Sequence, residues 1–156
     1  MPAILFVCTA NRIRSPLAEH LLRRRLAADP ATATGWRTES AGAWAEAGLP
    51  ALAAALTAAT ELGLDLSRHL TRRVEDLSLA DYTLILTMER GQRDALRHEF
   101  PTVAGRIITL AEVATGYAYD IADPAFHTLP AIRLTAREID ALLARALPLI
   151  LRETPL

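Results

Sequence analysis

Cys8 and Arg14 are separated by five residues, and Ser15 and Pro16 follow directly. An ionised thiol is a nucleophile, and a guanidinium is a planar fork that pairs two oxygens of one anion. Ahead of them, Ala3 to Val7 is an unbroken apolar run, which reads as a buried strand. Ser-Pro is a helix-start signal, with serine as N-cap and proline at the first helical position. The stretch therefore reads as strand, short loop, helix. A loop entering a helix N-terminus gathers backbone N–H groups at the positive end of the dipole, a place suited to an anion with three or four oxygens. The same field favours the thiolate form of Cys8. Nucleophile and anion cradle in one loop imply attack of sulfur on bound phosphorus. A cysteine at a strand end is commonly a small buried hydrophobe, and Cys-x5-Arg alone arises by chance. The flanking strand and helix start shift the reading towards chemistry.

The elements that must position this loop follow from the rest of the chain. At 156 residues it is expected to form one domain, residues 1–156, with a proper core. No apolar run is long enough to span a bilayer, and the N-terminus lacks the basic region of a signal peptide. With one cysteine there is neither an internal disulfide nor a Cys-rich metal site, and a cytoplasmic location is the default. A net charge of −1 gives no argument for a nucleic-acid partner. Helices are expected over residues 16–28, 50–62 (ended by Gly63), 74–79 and 89–100, with a last one from Leu134 or Thr135 towards Arg152. Pro148 either kinks or shortens that helix. Strands are expected over residues 36–40, 82–88 and 106–110, and a polar loop over 115–130. Alternating strands and helices give an α/β fold, a four-stranded parallel sheet with helices on both faces. Arg23, Arg24 and Arg25 read as a solvated helix face, and His20, His98 and His127 as surface residues. In such sheets ligands bind beyond the carboxyl ends of the strands, where the loop after Cys8 must lie.

A second stretch with chemical content is Asp120-Ile121-Ala122-Asp123-Pro124. Phosphoryl transfer to sulfur leaves an oxygen or nitrogen that needs a proton, and a carboxylic acid on a nearby loop would supply it. Asp-Pro is also a plain turn signal.

Val7, Cys8, Asn11, Arg14, Ser15 and Pro16 match the signature Val-Cys-x-Gly-Asn-x-Cys-Arg-Ser-Pro, so the chain resembles the low-molecular-weight protein tyrosine phosphatases and their relatives, the bacterial protein-arginine phosphatases. It departs at Ala10, a glycine in the signature, and at Ile13, its second cysteine. The resemblance implies a phosphatase that needs no metal or cofactor and forms a phosphocysteine intermediate. It implies phosphate binding by residues Thr9, Ala10, Asn11, Arg12, Ile13, Arg14 and Ser15. It makes Asp123 the general acid, with Asp120 as competitor. Ser40-Ala41-Gly42 and the stretch from Asp65 to Arg72 resemble further family elements, which implies a supporting hydrogen-bond network of Asn11, Ser15, Ser40 and His69. Arg12 and Trp44 fall where the family lines the substrate entrance. Ala125 replaces a wall aromatic, leaving Phe126, Tyr117 or Tyr119 to serve, of which Phe126 is the expected one. The partners implied are a phosphorylated protein or a small aryl phosphate, with inorganic phosphate as product and inhibitor. Phosphotyrosine is the expected substrate. Protein-arginine phosphatase, and a phosphate- or phosphopeptide-binding module with little turnover, are the alternatives. The related arsenate reductases need further cysteines and are set aside.

Overall fold

The computed structural model describes residues 1–153, so the expected domain end at 156 lies outside the described residues. Four parallel strands, β1 (Ala3–Cys8), β2 (Arg37–Gly42), β3 (Leu84–Thr87) and β4 (Ile107–Thr109), form one sheet in the order β2-β1-β3-β4. β1 is central, which is why its apolar run is unbroken: both of its faces are covered. Ile4, Phe6 and Cys8 point into one core, while Ala3, Leu5 and Val7 point into the other. The first core is closed by α1 (Arg14–Ala28), α2 (Ala53–Glu61), α4 (Leu110–Thr115) and α5 (Leu129–Glu153). The second is closed by α3 (Arg90–Glu99) and the short helical turns that flank it in sequence. Cys8 lies opposite Gly42 of β2, and Val7 opposite Thr87 of β3, so the loop after Cys8 emerges between the ends of both neighbours.

Several boundaries differ from the sequence reading for local reasons. Helix α1 begins at Arg14, with Ile13 at the cap position. Ser15 is therefore inside the first turn, and its hydroxyl is used elsewhere. Pro16 costs nothing there, because the first N–H groups of a helix have no intrahelical partner anyway. Residues 74–79 form two single turns, Val74–Asp76 and Leu79–Asp81, in place of one helix. β4 runs straight into α4, an unforeseen helix, because Thr109 Oγ1 accepts from the Glu112 amide and caps it. α5 starts at Leu129, ahead of the expected start at Leu134 or Thr135, and passes through Pro148 without ending. Gly63 (φ 77°) terminates α2 as expected, with the Leu64 amide returning to the Ala59 carbonyl. The three arginines of α1 are all engaged: Arg23 with Glu19 and Thr38, Arg24 with the Leu62 carbonyl, Arg25 with Asp140. None of the described helices is long and apolar enough to cross a membrane.

Candidate active site

Cys8 ends β1 almost fully buried, and its Sγ lies 2.9 Å from Ser15 Oγ. The loop between them turns on Asn11, whose backbone is left-handed (φ 59°); asparagine tolerates that region better than most residues. Ala10 does not have positive φ, so its replacement of glycine carries no backbone strain. Asn11 is buried, and its side chain holds the loop from inside. Nδ2 donates to Ser15 Oγ (2.8 Å) and Ser40 Oγ (2.9 Å), and Oδ1 accepts from the Arg72 amide (2.9 Å). His69 Nε2 lies 2.7 Å from the Asn11 carbonyl. A carbonyl only accepts, so Nε2 carries the proton; burial lowers the pKa of this imidazole and keeps it neutral. The four residues expected to form a network are thus joined through Asn11, and Ser40 extends it to Glu19 Oε1 (2.6 Å). Among the described residues none of the amides from Thr9 to Ile13 has a hydrogen-bond partner. They remain free to donate to an anion.

Arg14 is buried at the start of α1. Its Nη1 donates to Glu89 Oε2 (2.9 Å) and to the Ile121 carbonyl (2.7 Å), and its Nε lies 3.8 Å from Asp123 Oδ1. With Nη1 anchored at two points, the guanidinium is held before any ligand arrives. Glu89 caps α3 in a reciprocal box with Gln92. The same Gln92 reaches Thr9 Oγ1 through Nε2 (3.0 Å). The N-terminus of α3 therefore braces both the arginine and the nucleophile loop. Sequence reasoning missed Glu89 and Gln92; Glu-x-x-Gln before a helix was the available signal for the box, but nothing local marked its target.

A cavity of about 450 Å³ opens above Cys8, lined by Thr9, Ala10, Arg12, Ile13 and Arg14 together with Leu52, Glu89, Asp123 and His127. Asn11 and Ser15 lie beneath this surface as supports and do not line it. Asp123 is half-exposed, and its Oδ2 lies 2.9 Å from His127 Nε2. Asp120 is turned outward onto α3, accepting from the Arg90 amide (2.8 Å) and side chain (3.1 Å). Those bonds, the amide first, lower its pKa and keep it a carboxylate.

The expected walls divide. Arg12 lines the cavity, with its Nε tied to the Pro50 carbonyl (3.0 Å). Phe126 does not; it is 97% exposed, because left-handed backbone at Phe126 and His127 (φ 53° each) sends the ring to solvent and brings the histidine inward. Trp44 is 89% exposed and also misses the cavity; its amide is bonded to the Thr9 carbonyl, and its ring lines a groove on the far side of Thr9. Tyr117 and Tyr119 are exposed and do not line the cavity either. Leu52 and His127 take the expected aromatics' place, and neither was identifiable from its neighbours in sequence. His20 and His98 lie outside the cavity.

Comparison with known proteins agrees with this architecture. The chain is 32% identical over 146 residues to "Probable low molecular weight protein-tyrosine-phosphatase EpsP" of Ralstonia nicotianae, covering 91% of this chain and 94% of that one. It is 30% identical over 142 residues to a protein-arginine-phosphatase of Geobacillus stearothermophilus, covering 91% of each. The crystal structure of a low molecular weight protein tyrosine phosphatase from T. tengcongensis superposes with a TM-score of 0.85 at 30% identity, over 95% of this chain and 99% of that one. A sequence model of one family, described as low molecular weight phosphotyrosine protein phosphatase, matches residues 3–153, and the chain belongs to that family.

Proposed function

We propose that this phosphatase hydrolyses phosphotyrosine in proteins, and small aryl phosphates, as one catalytic domain working through Cys8. In this reading the Cys8 thiolate attacks phosphorus, the P–O bond to the leaving group breaks, and Asp123 gives its proton to the departing oxygen. Ser15 Oγ, at 2.9 Å, donates to the sulfur while it is anionic. Arg14 and the free loop amides hold the three equatorial oxygens as charge shifts in the transition state. Water then attacks the phosphocysteine, Asp123 takes its proton, and the S–P bond breaks, which returns the thiolate and releases inorganic phosphate, a product that also competes for the cradle. A catalytic thiolate persists in a reducing compartment, so the cytoplasm is the location this reading takes.

The observation that carries the aryl preference is Arg12 on the cavity wall. A guanidinium attracts the face of an aromatic ring and repels a second guanidinium. Phosphoarginine remains the second reading, because a protein-arginine-phosphatase covers this chain as fully as a tyrosine phosphatase does. The test is side-by-side hydrolysis of phosphotyrosine, phosphoserine and phosphoarginine peptides by the wild type and Cys8→Ser. Phosphotyrosine should be turned over fastest, and Cys8→Ser should bind phosphate without turnover. Faster release from phosphoarginine would make the second reading right. Turnover retained in Cys8→Ser would remove Cys8 as nucleophile, and no turnover on any peptide would favour a binding module.

A further inference from the structure

Beside the catalytic cavity, on the other side of Thr9, lies a groove of about 520 Å³ between the turn after β2 and helix α3. Trp44, Gln92, Leu96, Glu75 and Glu99 line it together with Thr9. Thr9 is the residue of the nucleophile loop that lines it. The Ala43 and Trp44 amides donate to the Cys8 and Thr9 carbonyls (2.8 and 2.9 Å), and Gln92 holds the Thr9 hydroxyl. Trp44 is thus fixed at its backbone while its indole stands almost fully in solvent. As a lining residue of the groove, Trp44 offers a large amphipathic ring to whatever enters it.

The charge of the groove says what it takes. Glu99 is exposed and has no ion pair among the described residues. Glu75 has only a loose one, with Arg73 at 3.8 Å. Glu99 is also the last residue of α3, at the negative end of that helix dipole. Arg97 is turned away onto the Ile107 carbonyl, and His98 does not line the groove. An indole and two carboxylates lining one groove suit a guanidinium or ammonium group.

We propose that this groove is a second subsite, taking an arginine or lysine side chain of the phosphoprotein within two positions of the phosphorylated residue. Thr9 is the wall shared by groove and cavity, and an extended peptide advances about 3.3 Å per residue, so one chain reaches both. The inference rests on the phosphoprotein reading above. It adds a basic flank on the Trp44 side to the aromatic preference set by Arg12.

The experiment compares phosphotyrosine peptides that differ only in Arg, Gln or Glu at each of the two positions on either side of the phosphoresidue. At one of those positions kcat/KM for Arg should exceed that for Gln by about five- to tenfold, the worth of an exposed cation–π contact plus a surface ion pair. The doubly substituted protein Glu75→Gln/Glu99→Gln should reduce that ratio to about twofold, the part left to the Trp44 ring, while hydrolysing para-nitrophenyl phosphate at the wild-type rate. Trp44→Leu should halve the ratio or more. Equal rates for Arg and Gln at every position, a preference for Glu, or an Arg preference undiminished by the double substitution would overturn the subsite. The same peptides are also titrated onto Cys8→Ser by calorimetry, which reads the preference without turnover. If phosphoarginine proves the better substrate, the series is built on phosphoarginine. Failure of the phosphotyrosine reading then leaves the groove decided on its own evidence.

Discussion

Asp120 and Asp123 are near neighbours in one loop with different partners. Asp120 is held by two donors from Arg90, which keep it ionised and unable to give up a proton. Asp123 faces Arg14 and shares the cavity with Cys8. Asp123→Asn should therefore slow hydrolysis by about 10²–10⁴-fold for poor leaving groups, and far less for a nitrophenolate, which departs with little protonic help. Asp120→Asn should leave that dependence on leaving-group pKa unchanged. A leaving-group series on both variants checks the assignment, and a steeper dependence for Asp120→Asn would reverse it. His127 Nε2 lies 2.9 Å from Asp123 Oδ2 and would position the proposed acid. His127→Asn preserves the left-handed backbone, which asparagine accepts, and withdraws the ring nitrogen. The expected result is a fall in kcat of about tenfold for poor leaving groups, the worth of one hydrogen bond to a charged group, with little change for nitrophenyl phosphate. A uniform fall on both substrates would mean that His127 only shapes the cavity.

At the scale of elements, the nucleophile loop is packed against the end of β2 with no room to spare. A Cβ on Gly42 would lie 2.6 Å from the Thr9 carbonyl oxygen and 2.5 Å from Ala45 Cβ. The contact with Thr9 is to backbone, so it yields only if the loop itself moves. Gly42→Ala should destabilise the fold by about 1–3 kcal/mol, as overpacking does, and should weaken phosphate binding by displacing the Thr9 amide. Thermal unfolding and phosphate inhibition constants measured together check this. A variant unchanged in both would show that the Ala45 turn absorbs the atom. The opposite side of the loop depends on α3, whose capping box places Glu89 on Arg14 and Gln92 on Thr9. Helix start and site support are there one set of hydrogen bonds.

For the whole molecule, the half-buried His69 ties stability to pH. Its folded pKa is lowered from the ordinary 6.5 by burial, so the unfolded chain binds a proton more readily than the folded one. Its contribution is fully present above the unfolded value and is lost as pH falls from there through the folded value. Protonation charges a half-buried ring, while its proton on Nε2 still serves the Asn11 carbonyl. His69→Gln should flatten the loss of stability between about pH 6.5 and lower values, relative to the wild type. His69→Ala should in addition cost about 1–3 kcal/mol at neutral pH by leaving the Asn11 carbonyl unpaired. Denaturant unfolding over a pH series checks both, and a wild-type pH slope in His69→Gln would assign the acid sensitivity to another group.

What the sequence determined by itself is the part whose physics is local. The apolar run of β1, the spacing from Cys8 to Arg14 and the left-handed preference of Asn11 lie within one stretch of a dozen residues, so the loop and its anion cradle were legible without the fold. Strand and helix alternation carried the parallel sheet for the same reason. The support network of Ser40 and His69 was reached through resemblance, since its members are scattered along the chain. Only the tertiary structure decided which distant groups close the site. Glu89 is 75 residues from Arg14, and the Ile121 carbonyl is 107 away; they meet Arg14 because parallel strands deliver their following loops to one edge of the sheet. It also decided which way the loop side chains face. Trp44 and Phe126 have the chemistry of a substrate wall, but their directions are set by an amide bonded to Thr9 and by a pair of left-handed residues, neither of which has a signal in the neighbouring letters. Residue type announces what a side chain can do; the backbone hydrogen bonds of residues far away in sequence determine where it does it.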